Sequence, residues 1–195
     1  EARKDLLLLA VDYVKENIRP TDKDYLPYLY ISRAYILLGK DDSRSEYNDL
    51  SLENSLHALD IAPQFIRTYF EVAQAYLNKK DYAKAGEYFQ RAAELNPDVG
   101  VSFWYWAATE LERGNVERGL EFVKVAESKG YWLTEGDSQR LLAVYIKNND
   151  LKKVVATYEN LIAFGTKNPQ YHASLAAAYV KIGNIDGAVA QAKIA

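Results

Sequence analysis

Tyr76, Tyr145 and Tyr179 recur at intervals of 69 and 34 residues, that is, two periods of 34 plus one residue and then one period. Each tyrosine is followed, four and five residues on, by a two-residue turn signal: Lys80-Asp81, Asn149-Asp150 and Gly183-Asn184. Gly114-Asn115 supplies the same turn in the intervening copy, where Glu110 takes the tyrosine's place. A period of this size means one helix–turn–helix unit copied along the chain, each copy unable to bury its apolar face alone. Such a chain acts through a stacked surface rather than through a pocket of catalytic groups.

Composition narrows the classes further. With 195 residues, 49% hydrophobic and 26% charged, the chain has enough apolar surface for a core and is not of the disordered type. The net charge is −3 and the cations are interspersed with acids, so neither a nucleic acid nor an anionic membrane surface is expected as partner. There is no cysteine, which excludes disulfides, thiol nucleophiles and thiolate metal sites. The longest apolar run, Leu6 to Val11, is far shorter than the roughly 20 residues of a membrane span, so direct membrane insertion of this segment is not expected. The chain has no methionine and stops at Ala195 within a helical pattern, so a fragment of a longer protein is expected.

The clearest copy runs from Ile66 to Val99. Its first helix carries Tyr69, Val72, Ala73 and Tyr76 at i, i+3, i+4, i+7, the spacing of one buried face. Its second carries Ala85, Phe89 and Ala92 and stops at Asn96-Pro97, since proline cannot continue a helix. These positions resemble the tetratricopeptide repeat (TPR) family, whose pattern places an aromatic, a large–small pair, Tyr, a small residue, Phe, Ala and Pro at the same offsets. The next copy gives Phe103, Trp106-Ala107, Gly119, Val123 and Ala126, with Tyr131 in place of Pro. The fourth gives Leu141, Tyr145, Val154, Tyr158 and Leu161, with Pro169 closing it late. The fifth gives His172, Leu175-Ala176, Tyr179, Ala188 and Ala192. Backwards, Tyr28, Ile31-Ser32, Tyr35 and a turn at Gly39 open another copy, closed by Ala58 and Pro63, with about seven extra residues around Asp41 to Asn48. The resemblance implies an all-α, right-handed superhelix of about five repeats in one solenoid domain: residues 25–65, 66–99, 100–134, 135–168 and 169–195, the last incomplete. A leading helix over 1–20, ended by Pro20, precedes them.

Small residues set how closely helices approach. Ser32, Ala73, Ala107 and Ala176 are expected where the two helices of a copy meet, and Ala85, Gly119 and Ala188 against the neighbouring helix. Leu142 and Val154 break that rule and predict looser or rotated packing in the fourth copy, with Lys129 to Trp132 marking a change of twist. The last pair lacks a polar cap, so self-association through an exposed terminal face carrying Leu175, Val180 and Val189 is expected.

The resemblance also implies where a ligand would sit, because the first helices of TPR stacks line a concave groove. The matching positions are Arg33, Phe70, Gln74, Trp104, Ala108, Gln139, Ala143 and Ala177. The paired Lys and Asn of the chaperone-tail clamp are absent, which argues against that subfamily. What remains is a groove with Phe70, Trp104 and Tyr105, rimmed by Arg67, Arg140 and Lys147, suited to an apolar or aromatic peptide with acidic side chains. Trp106 occupies a family core position, whereas Trp104 is the aromatic expected at the surface. The abundance of tyrosine, 16 in all, also fits cores in which the hydroxyl reaches a polar edge.

No catalytic constellation is visible. His57 and His172 are out of phase and have no second ligand at metal spacing, and Asp41-Asp42 and Glu135 to Asp137 read as solvated loops. No metal or cofactor is expected. The leading reading is a non-catalytic scaffold for a peptide or protein partner. An alternative comes from Phe65 to Gly130, which is similar to the soluble TPR tails of bacterial O-antigen polymerase and ligase relatives, extracytoplasmic parts of polytopic membrane proteins. A pentatricopeptide RNA reader has a similar period, but the tyrosine placement and the charge argue against it.

Overall fold

The computed structural model describes residues 2–19, 23–165 and 168–195; the expected stop at Pro20 lies outside them. The described residues are all-α: α1 Ala2–Asn17, α2 Leu26–Gly39, α3 Glu46–Ile61, α4 Ile66–Asn78, α5 Tyr82–Leu95, α6 Gly100–Glu112, α7 Val116–Ser128, α8 Glu135–Lys147, α9 Leu151–Ala163, α10 Pro169–Lys181 and α11 Ile185–Ala192. From α2 onward they form five sequential hairpins. None is long and apolar enough to cross a membrane.

The turn signals act as the sequence suggests. Lys80 (φ 60°), Gly114 (φ 87°), Asn149 (φ 55°) and Gly183 (φ 80°) each take the left-handed conformation that ends the first helix of a hairpin. The next residue then caps the second helix. Asp81, Asp150 and Asn184 accept from the backbone N–H of Lys84, Lys153 and Gly187. Asn115 does not; its side chain donates to Glu110 instead.

Three readings of the connections change. Pro169 does not close α9 but is the first residue of α10, after the capping Asn168, a position where its missing N–H costs nothing. Glu135 to Asp137 form the first turn of α8, with Thr134 and Asp137 in a capping box. The extra residues after Tyr35 are partly helical, since α3 has 16 residues where α5 has 14. There Gly39 is required by proximity, because a Cβ on it would fall 2.1 Å from the buried Asn48 Oδ1.

The chain divides into two compact units, residues Glu1–Tyr131 and Trp132–Ala195, with the boundary inside the Lys129–Trp132 stretch. In the first unit, α1 covers α2 through Val11, Ile31, Ala34 and Tyr35, and Val72, Ala73, Tyr76, Ala85 and Phe89 form a second core. The expected small residues are buried: Ser32, Ala73, Ala85 and Ala107 at the hairpin crossings, with Gly119 set so close to Leu111 that a Cβ would meet it at 2.6 Å. In the second unit Leu142, Val154, Val155, Leu161, Tyr171 and Leu175 make the core. There α8 and α9 pack less extensively than α4 and α5, in line with the larger Leu142 and Val154. Leu175 is buried, not part of an exposed terminal face; Val180 and Val189 are exposed. The helical period places 175 among the core positions of α10, on the side that faces α9.

Candidate functional groove

The first helices of three successive hairpins in the first unit, α2, α4 and α6, face one elongated groove. Its larger lobe, about 420 Å³, is lined by Arg33, Leu37, Phe70, Gln74 and Tyr105, together with Ile36, Lys40, Arg67, Glu71, Asn78, Phe89 and Val101. A smaller lobe of about 220 Å³ lies beside it, lined by Leu26, Leu29, Tyr30 and Phe65, and shares Arg33, Arg67 and Glu71 with the larger. Helical geometry places these groups together, because positions 67, 70, 71, 74 and 78 follow the i+3, i+4 progression along one face of α4.

The aromatic wall is a stacked set. Tyr105 packs on Phe89 at 5.3 Å between centroids, nearly parallel, and edge-on to Phe70 at 5.5 Å. Two amides stand beyond it. Asn78 Nδ2 donates to the Ile36 carbonyl at 2.9 Å, and Gln74 Nε2 to Asn78 Oδ1 at 3.4 Å. The first of these bonds ties α4 to α2, the second lies within α4, and both amides keep further donor and acceptor capacity.

The charges are asymmetric. Among the described lining residues, Arg33, Lys40 and Arg67 face a single carboxylate, Glu71, which is 8% exposed. Arg33 approaches it at 3.9 Å, too long for a hydrogen bond. Burial pushes the Glu71 carboxyl above its ordinary value, outweighing the lowering influence of Arg33 and Arg67.

Among the residues expected in the groove, Arg33, Phe70 and Gln74 meet in the larger lobe. Trp104 does not. It is 2% exposed, its ring stacked on Tyr131 at 5.9 Å, and Ala108 is likewise buried. Tyr131, which comes after α7, stacks over this α6 position equivalent to Phe70, and the adjacent Tyr105 is the exposed aromatic of α6. Trp106, expected in the core, is only partly buried, lying over Phe122 at 3.8 Å with the Arg118 guanidinium on its ring. Sequence reasoning does not single out Glu71, Lys40 or Asn78. Asn78 sits at the last of the family's groove offsets, whereas Glu71 has no local signal beyond Arg67 one turn earlier.

In the second unit Gln139 is exposed and donates to the Tyr171 hydroxyl, which itself donates to Glu135. That bond to Glu135, with burial, pushes the Tyr171 phenol above its ordinary value. Ala143 and Ala177 are exposed on α8 and α10, as are Arg140 and Lys147 on α8. A wider hollow of about 550 Å³ over α5 is lined by Tyr69, Glu87, Tyr88, Gln90, Arg91 and Glu94. Its arginine is already engaged, Glu94 accepting from both Arg91 and Gln90 at 2.8 Å. His57 packs edge-on to Tyr28, and His172 Nδ1 lies 2.7 Å from Gln191 Oε1. No cluster of metal-ligating groups occurs among the described residues.

Comparison with known proteins gives the same architecture. Residues 66–99 match the model of the tetratricopeptide repeat. No curated protein matches the sequence. Among solved structures, MamA superimposes with a TM-score of 0.64 at 16% identity, over 80% of this chain and 91% of that one. YrrB, described as a TPR protein with an unusual peptide-binding site, gives 0.61 at 15% identity, over 93% and 89%. The Cut9–Hcn1 hetero-tetramer of the APC/C gives 0.70 at 15% identity, over 96% of this chain and 35% of that one. At these identities the likeness establishes the fold: sequential TPR-type helix hairpins, with the 66–99 hairpin matching the family's own repeat.

Proposed function

We propose that the chain is a non-catalytic scaffold that holds a peptide segment of a partner protein in the groove of α2, α4 and α6. The observation that carries this reading is the larger lobe, where Arg33, Phe70 and Gln74 are joined by Tyr105, a half-exposed aromatic, and by two amides able to bond a backbone. YrrB's peptide-binding site supports it by analogy of fold. Exposure of Gln139, Ala143 and Ala177 on first helices supports a partner-facing surface on the second unit as well. The test is selection of a displayed peptide library on the protein, with titration of the enriched peptides. Binding that weakens about tenfold or more on Tyr105→Ala supports the groove; enriched peptides indifferent to Tyr105→Ala and Phe70→Ala refute it.

The O-antigen assembly alternative has no support among the structural relatives found. It would be revived by a parent chain with several membrane-length apolar runs ahead of this segment. Self-association through Val180 and Val189 is checked by light scattering across a concentration series: a constant monomer mass excludes it.

A further inference from the structure

Arg33, Glu71 and Arg67 line both lobes and form the ridge between them. The smaller lobe presents Leu26, Tyr30 and Phe65, all more than a third exposed. The larger presents Leu37 (39% exposed) and Tyr105 (37%). Each offers an apolar seat. On the ridge, neither arginine makes a hydrogen bond among the described residues. Arg33 reaches Glu71 only at 3.9 Å and keeps 59% of its side chain exposed. Glu71 is buried and, among the described residues, has no hydrogen-bond donor and is the sole carboxylate lining either lobe.

We propose that this ridge reads an acidic side chain, and that the preferred ligand is a partner-protein segment in which the acid lies between two bulky apolar residues, one for each lobe. The inference rests on the groove reading above and specifies its ligand class. A guanidinium offers a planar fork matched to a carboxylate, and two forks with unused donors flank the point where the segment must cross from lobe to lobe. Lys40 adds a third cation at the far end of the larger lobe. Glu71 is placed to hold the two arginines near one another by charge while consuming none of their donors. A basic ligand residue would have to pass between Arg33 and Arg67 to reach Glu71, so like-charge repulsion disfavours it.

The experiment uses a displayed library randomised at every position, selected on the wild-type chain, with the enriched peptides resynthesised and titrated by fluorescence anisotropy. The expected enriched pattern is an Asp or Glu with a large apolar residue on each side. Changing that acid to its amide is expected to weaken binding about tenfold, and changing it to lysine more. Arg33→Gln/Arg67→Gln should erase the difference between acid and amide; Arg33→Glu/Arg67→Glu should invert it in favour of the lysine peptide. Circular dichroism confirms that each variant is folded, and the milder glutamine pair stands if the reversal is not. If enriched peptides lack an acid, or bind equally as amides while remaining sensitive to Tyr105→Ala, the ridge assignment is overturned and the groove stands. If no enriched peptide is sensitive to Tyr105→Ala or to Phe70→Ala, the groove fails and the ridge with it.

Discussion

The hairpins α4–α5 and α8–α9 share a turn and differ in how tightly they close. Both end the first helix on a left-handed residue, Lys80 or Asn149, and begin the second on an aspartate that accepts from the third N–H. Both set a lysine over the repeat's tyrosine, Lys84 over Tyr76 and Lys153 over Tyr145, at 5.1 Å in each case. At the crossing, however, the first has Ala73 and Ala85, fully buried, and the second Leu142 and Val154. The first packs more extensively and its face carries the groove; the second packs less extensively. Turn chemistry therefore specifies that a hairpin forms, and side-chain volume at the crossing specifies how near its helices come.

Removing the central aromatic should separate the two hairpins most. Phe89 is 1% exposed and stacks on Tyr105, so Phe89→Ala should cost about 3–5 kcal/mol. Its counterpart Tyr158 is only partly buried, and Tyr158→Ala should cost about 1–3 kcal/mol. Urea titrations of both variants check the order; equal losses would deny that the first hairpin is the tighter.

Filling the crossing is the second probe. Ala85→Leu forces α4 and α5 apart and should cost about 1–3 kcal/mol, whereas Val154→Leu, where a large residue is already accommodated, should cost less than about 1.5 kcal/mol. Ala85→Leu should also weaken peptide binding by displacing the groove wall, which anisotropy reads directly.

The turns give smaller effects of opposite sign. Lysine carries a steric cost at φ 60° that glycine does not, so Lys80→Gly should stabilise by about 1 kcal/mol. Asparagine tolerates the left-handed region, so Asn149→Gly should gain only a few tenths of a kcal/mol. Thermal melts of the pair, compared with wild type, decide this.

The smallest expected effect is a pH dependence. Glu71 has a folded-state pKa raised by burial, so the folded chain holds its proton more firmly than the unfolded one. Its contribution is most favourable below the ordinary glutamate range and is lost as pH rises through the raised value. Glu71→Gln should therefore raise the melting temperature at neutral pH, and the gain should shrink as the medium is acidified. A constant difference across that range would contradict the burial of this carboxylate.

How much of the structure is legible in the sequence depends on how local each determinant is. The helices are legible because period, turn pair and cap all lie within a few residues of one another: Tyr76 with Lys80-Asp81, Tyr179 with Gly183-Asn184. Pro169 is misread because proline marks both the residue after a helix and the first residue within one, and only Asn168 ahead of it distinguishes the two. The groove is half legible. Arg33, Phe70 and Gln74 sit at offsets that repeat with the fold, but Tyr131, which stacks on the buried Trp104, lies beyond α7 in sequence. Glu71 escapes notice for the same reason, since its meaning comes from Arg33 on another helix.

The most direct test of the groove is a pair of titrations with one library-selected peptide. Tyr105→Ala changes the half-exposed aromatic, and Trp104→Phe changes its buried neighbour one residue away. If the peptide lies in the groove, Kd rises about tenfold or more for Tyr105→Ala and stays at the wild-type value for Trp104→Phe in folded protein. The reverse pattern, with Trp104→Phe abolishing binding and Tyr105→Ala leaving it intact, would contradict that placement.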